Sequence, residues 1–168
     1  DCQLIFMNDE KGASEILERR LRTRIEDAEI IFDRHVVFVP YQSRQGFSAL
    51  MKSADLLLDT IGFSGFNTAM HAIGCGLPVI TREGKFMRTR HASAILRKLE
   101  IEELITKTET EYIDLVEKTV LDREFRHNIK CKIKDKENYL YRNENAIRAL
   151  EDFFEGVISG SLKSELHN

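Results

Sequence analysis

Apolar positions recur along this chain with two different periods, and the alternation between them predicts its elements. Gln3 to Met7 is a short apolar run and predicts a strand. After the turn cluster Asn8-Asp9-Glu10-Lys11-Gly12, the residues Leu17, Leu21, Ile25, Ala28 and Phe32 fall at helical spacing. They place one stripe along a helix over residues 13 to 33. The charges Glu15, Glu18, Arg19, Arg20, Arg22 and Arg24 lie largely off that stripe, as on a solvated face with i,i+4 pairs. His35 to Val39 predicts a strand apolar on both faces, the pattern of a parallel sheet covered by helices on both sides. Pro40 ends it, and a short helix near Phe47 to Ser53 follows the Tyr41-Gln42-Ser43-Arg44 loop.

The stretch Ala54 to Thr81 is the centre of the chain. Leu56 to Leu58 predicts a strand, Phe66 to Cys75 a helix closed by Gly76, and Val79-Ile80, released by Pro78, a second buried strand. This is a βαβ unit, whose crossover is expected to be right-handed. Further on, Thr89 to Leu99 predicts a helix with Ala92, Leu96 and Leu99 on one face, and Leu104-Ile105 a brief strand. Thr108 with Glu111 is a capping-box signature opening a helix through Tyr112, Leu115, Val116 and Val120. Asp122 to Lys136 predicts another helix. Asn143 caps the last one, in which Ile147, Leu150, Phe153 and Phe154 form the expected buried stripe. Strands alternating with helices argue for an α/β domain, a Rossmann-like doubly wound parallel sheet with additional C-terminal helices.

Composition narrows the class. The 168 residues are 42% hydrophobic and 32% charged, which suits one soluble domain over residues 1–157 with a flexible tail at 158–168. A net charge of −3 supplies no basic field, so a nucleic-acid partner is not expected. No apolar run is long enough for a transmembrane segment. Cys2, Cys75 and Cys131 are odd in number and lack C-x-x-C pairing, the usage of a reducing cytoplasmic compartment. The chain opens directly on a strand run, which suggests a piece cut from a longer protein.

The candidate chemistry lies between strand and helix. The G-x-G-x-x-G and P-loop fingerprints are absent. So is the G-x-S-x-G elbow, because Gly65 follows Ser64 directly, and Ser64 is not expected to be a hydrolase nucleophile. What remains is a phosphate loop of another kind. Gly65, Phe66, Asn67 and Thr68 straddle the expected helix N-terminus, where free N–H groups and the helix dipole favour an anion. Asn67 or Thr68 either caps the helix or turns toward a diphosphate. His71, one turn on, is either a packing group or a ligand contact. A second loop after strand 36–39 offers Tyr41 or its backbone for a base and Arg44 for a phosphate. Of Arg82, Lys85, Arg88 and Arg90, one or two could face the anion while the rest face water. Asp59 is either a functional carboxylate or a loop cap. No metal-ligand spacing occurs, and no catalytic residue can be assigned.

The order ADLLLDTIGFSGFNTAMHAIGCGLPVIT, then REGKFMRTRHASAILRKLEIEELI, then KTETEYIDLVEKTV resembles the C-terminal half of GT-B glycosyltransferases. Within these it is similar to the O-linked N-acetylglucosamine transferase and SPINDLY-like group. Shared features are AD-x-x-LDT, the Gly76 to Thr81 turn, Arg90 with Ala92 and Ser93, and Glu103-Leu104-Ile105 followed by Glu111-Tyr112. The resemblance implies a domain that binds a nucleotide diphosphate sugar, with a UDP-sugar as the expected donor and no other cofactor. Transfer would go to a hydroxyl acceptor, protein Ser/Thr among the candidates. It places Tyr41, Gln42 and Arg44 beside the nucleotide and Gly65, Phe66, Asn67 and Thr68 at the diphosphate. His71 stands where the family has an acidic residue that holds the ribose. It also implies a partner, the N-terminal GT-B half of the same protein, and a first strand and helix before Gln3. Departures are Phe66-Asn67-Thr68 for the family's His-Thr-Thr, Phe47 for another histidine, and His71 itself. The alternatives are a nucleotide-sugar 2-epimerase-like domain and a non-catalytic protein-interaction module that kept the fold.

Overall fold

The computed structural model describes residues 2–8, 13–141 and 144–160. Residues 9–12 of the expected turn cluster, the Asn143 cap and residues 161–168 of the expected tail lie outside them. The chain divides into two compact units, Asp1–Leu50 and Met51–Asn168.

In the first unit, β1 (Leu4–Met7) and β2 (Val36–Val39) pair in parallel, Leu4 opposite Val36 and Met7 opposite Val39. Phe6 and Phe38 stack across the pair at 5.2 Å. Between them run α1 (Ala13–Glu26) and the single turn α2 (Phe32–His35). The single helix expected over residues 13 to 33 is therefore broken. Glu29 takes a left-handed φ of 59°, with Glu29 N–H donating to Glu26 O at 2.9 Å and Ile30 N–H to Ile25 O at 3.1 Å. That is a Schellman turn at a residue with a Cβ. The apolar stripe hid the break because Phe32 is buried on the far side of it. Arg22 bridges the two helices. It pairs with Glu18 and Glu26 at i,i+4 spacing and with Asp33 at 2.9 Å, its guanidinium 4.1 Å above the Phe32 ring. Leu4, Ile5 and Met7 remain exposed, so among the described residues this sheet is not covered on both faces as its composition predicted.

The helix α3 (Arg44–Ser53) begins earlier than expected. The Ser43 hydroxyl accepts the Gly46 N–H at 3.2 Å, an N-cap contact, and Arg44 is consequently the first helical residue rather than part of a loop.

The second unit holds β3 (Leu57–Leu58), α4 (Phe66–Gly74), β4 (Val79–Arg82), α5 (His91–Lys98), β5 (Ile105–Thr106), α6 (Glu109–Leu121), α7 (Arg123–Lys136), α8 (Asn138–Tyr141) and α9 (Asn145–Ile158). The strand order is β3-β4-β5, all parallel, as the βαβ reading required. Gly76 ends α4 at φ 73°, a value glycine takes without strain, and the Leu77 N–H closes back on Ala72 O at 2.9 Å. Val79, Ile80 and Thr81 of the central strand are buried, and α4, α5 and α6 all pack against it. The core continues through Ala69, Ala72 and Ile73, through Ile95, Leu96, Leu99 and Leu104, and through Ile129 and Ile133 of α7. Thr108 caps α6 as expected, accepting the Glu111 N–H at 3.1 Å, while the Glu111 carboxylate reaches back to the Lys107 N–H at 2.8 Å. Asp122 caps α7 through the Phe125 N–H at 2.9 Å.

Three expectations change here. A 3-10 turn at Met87–Thr89 precedes α5, so that helix starts at His91. Leu104 ends another such turn, and the short strand is Ile105–Thr106. The stripe Ile147, Leu150, Phe153 and Phe154 of α9 is exposed, each residue more than half, not buried. Periodicity reports that a face wants a partner, and no described residue covers this one. No helix among the described residues is long and apolar enough to cross a membrane.

Candidate functional site

The site is built on the segment between β3 and α4. Leaving β3, the chain reaches Asp59, which is buried and uses every polar group it has. Its N–H donates to Ile80 O at 2.9 Å. Its Oδ2 accepts the Thr81 hydroxyl at 2.7 Å, its Oδ1 accepts the Gly65 N–H at 3.0 Å, and its carbonyl accepts the Tyr112 hydroxyl at 3.1 Å. Of the two readings open from the sequence, the structure supports the loop cap. Gly62 turns the loop at φ 96°, and the Phe63 N–H reaches Thr60 O at 3.3 Å.

Ser64 is buried and joins this loop to the one that follows β4. Its N–H donates to Arg88 O at 2.7 Å, its hydroxyl accepts the Ala92 N–H at 2.8 Å, and its carbonyl accepts the His91 Nδ1–H at 3.2 Å. Its hydroxyl thus serves the first turn of α5 and is no exposed nucleophile, in line with the sequence reading.

Gly65 is the N-cap of α4, at φ −82° and ψ 105°, and no side chain caps the helix. Asn67 and Thr68 lie inside its first turn, so neither is the cap. Asp59 has taken the Gly65 N–H, and the Gly65 carbonyl accepts from Ala69 at 3.0 Å. Among the described residues nothing accepts from the N–H groups of Phe66, Asn67 and Thr68, and these are the ones left for an outside acceptor. A Cβ at Gly65 would meet Thr68 Cβ at 3.4 Å and Oγ1 at 3.5 Å, so the glycine leaves the hydroxyl of Thr68 open beside the helix end. Phe66, Asn67 and Thr68 are exposed, and half-buried His71 lies on the Asn67–Thr68 face at i,i+4 and i,i+3. Phe66 contributes no polar group. Its ring stands edge-on against His91 at 5.9 Å.

Tyr41, Gln42 and Arg44 belong to the first unit. Tyr41 and Arg44 are exposed, and the Gln42 amide folds back to Pro40 O at 2.7 Å.

Of the four candidate cations at the end of β4 and beyond it, Arg82 and Arg90 are in ion pairs. Arg82 pairs with Glu109 at 3.0 Å, and Arg90 and Arg97 converge on Glu83 at 3.2 and 2.5 Å. Hydrogen bonds from Arg97, then from Ser93 and Arg90, hold the Glu83 carboxyl down to about 2 against the opposing effect of its burial. Lys85 and Arg88 are exposed, Arg88 5.0 Å from the centre of the Phe86 ring. Met87, Arg90, His91, Ala94 and Arg97 line a pocket of about 320 Å³. No group of three or more metal-ligating side chains occurs among the described residues.

Sequence reading missed two participants. His91 was visible only as one histidine among five. Tyr112 showed only as a helical position behind a capping box, because its partner lies 53 residues away.

Comparison with known proteins follows the same lines. The model of glycosyl transferase family 41 matches residues 11–145. Among solved structures, a mutant of the O-GlcNAc transferase of Thermobaculum terrenum matches with a TM-score of 0.77 at 25% sequence identity. The match covers 90% of this chain and 29% of that one, so the chain spans under a third of that relative's length.

Proposed function

The chain belongs to glycosyltransferase family 41, and from that premise we propose that it is the donor-binding domain of an enzyme moving a sugar from a nucleotide diphosphate sugar to a hydroxyl acceptor. The observation that carries this reading is the uncapped N-terminus of α4. The N–H groups of Phe66, Asn67 and Thr68 and the Thr68 hydroxyl lie together at one helix end, which supports a diphosphate seat there. Donors held in place before the reaction stabilise negative charge as it develops on a leaving diphosphate, and they do so without reorganising. We assign His71 to the ribose or a phosphate oxygen. Tyr41, Gln42 and Arg44 enter from the resemblance alone, as contacts of the nucleotide. The donor is proposed to be a UDP-sugar, the acceptor a Ser or Thr hydroxyl of a protein, and the location the cytoplasm. The short coverage of the relative supports a further half of the same protein as partner.

Calorimetric titration of the full-length protein with UDP, GDP and TDP tests the reading. One nucleotide should bind, and Thr68→Ala and Arg44→Ala should each weaken it about 3- to 10-fold, the worth of one hydrogen bond or exposed charge contact. Absence of binding by all three nucleotides would sink it. The exposed Phe66 ring in place of a polar contact favours a second reading, a protein-interaction module without donor chemistry. That module would keep its protein partner in Thr68→Ala.

A further inference from the structure

The bonds around Asp59 run further than loop closure requires. A strand-end aspartate that only capped the next helix would need its carboxylate and nothing else. Here Asp59 is gripped from two elements and grips a third. The central strand β4 takes its N–H through Ile80 O at 2.9 Å and gives its carboxylate the Thr81 hydroxyl at 2.7 Å. Helix α6 holds its carbonyl through the Tyr112 hydroxyl at 3.1 Å. Only then does the remaining carboxylate oxygen reach forward to the Gly65 N–H at 3.0 Å. Thr81 is fully buried, and its strand lies in the middle of the three-stranded sheet. The Tyr112 position is in turn set by the Thr108–Glu111 capping box one residue before it.

Resting on the donor-binding reading above, we propose that Asp59 and Tyr112 are positioning residues for the diphosphate. Tyr112 fixes the Asp59 backbone, Asp59 fixes the Gly65 amide, and the direction of the three free N–H groups at the start of α4 follows from both. Two consequences follow. First, the Gly65 N–H is withdrawn from the ligand, so the binding donors begin at Phe66. Second, a buried carboxylate lies directly behind the anion seat. There its charge is spread over two hydrogen bonds instead of opposing the ligand bare. A tyrosine hydroxyl is a donor throughout the physiological range, and burial, and after it the Asp59 charge, push that of Tyr112 up further, to about 12.

The test uses the full-length protein. Tyr112→Phe keeps the ring and removes only the hydroxyl; Thr81→Val removes the other support, from within the core. Nucleotide affinity is read by titration with UDP, GDP and TDP, and amide hydrogen exchange is read at Gly65 and Ala69 against the core amides of β4. Tyr112→Phe is expected to weaken nucleotide binding about 3- to 10-fold, with faster exchange at Gly65 and Ala69 and unchanged exchange in β4. Thr81→Val is expected to do the same. A variant that binds as wild type does overturns the positioning role. So does exchange that accelerates everywhere, since that is the mark of a merely structural contact. Wild-type protein that binds none of the three nucleotides overturns the donor-binding reading itself, a result distinct from unaltered binding by Tyr112→Phe.

Discussion

Gly65 separates the demands of folding from those of binding within one residue. Its backbone angles are open to alanine, and an added Cβ would only touch the Thr68 side chain at ordinary contact distance. Gly65→Ala should therefore cost at most about 1 kcal/mol of stability, the difference between glycine and alanine at an N-cap. The methyl group would nonetheless stand beside the free N–H groups, where a phosphate must approach. Nucleotide affinity should fall about tenfold or more. Urea unfolding and titration on the same preparation check the pair of numbers, and a variant that binds normally would move the seat away from Gly65. His71 and Phe66 are residues whose chemistry was legible but whose surroundings were not. Phe66 stands where the resemblance puts a polar contact of the diphosphate, and it is 52% exposed with its ring leaning on His91.

At the scale of elements, the loop between β4 and α5 is held by charge. Glu83, on the β4 side, receives Arg90 and both arms of Arg97 on the α5 side, along with the Ser93 hydroxyl. Its carboxyl is depressed from an ordinary 4.5 to about 2 in the folded protein, chiefly by Arg97. A depressed carboxylate contributes stability that is complete above the unfolded value and is lost as pH falls through the folded one. Unfolding free energy should thus carry an acid-sensitive component between about pH 4.5 and 2. Glu83→Gln should remove that component and cost about 1–3 kcal/mol at neutral pH. Denaturation midpoints of both proteins across that window measure it; parallel acid limbs would show that Glu83 is not the group responsible. Helix ends were the other feature decided at this scale. The capping box at Thr108 and the glycine at Gly76 were legible because their chemistry is local. The turns at Glu29 and Glu100, with φ of 59° and 54°, were not, since nothing in a glutamate announces a left-handed backbone.

For the whole molecule, the apolar face of α9 is the largest discrepancy between pattern and packing. Ile147, Leu150, Phe153, Phe154 and Val157 are each more than half exposed. Truncating such groups removes little buried area, so the double substitution Phe153→Ser and Phe154→Ser should change the stability of this chain by less than about 0.5 kcal/mol. It should also reduce binding of a hydrophobic dye. A loss of about 3 kcal/mol or more would mean that the rings are buried in solution. The family and the parallel α/β class were settled by features that the sequence holds in linear order. These are apolar runs, the glycine and proline that end α4 and start β4, and the spacing from the β3 aspartate to the Glu111–Tyr112 pair. They are legible because strand, helix and turn preferences act over a few residues. Tertiary structure alone decided which polar groups were spent and which were left over. Asp59 could have been a ligand, the Ser64 hydroxyl left open and Asn67 a cap until β4, α5 and α6 brought Thr81, Ala92 and Tyr112 against that segment. Hydrogen bonds between residues 22, 28 and 53 positions apart leave no periodic trace in a sequence. They determine that the Gly65 amide is occupied, that the Phe66, Asn67 and Thr68 amides are free, and hence where an anion can bind.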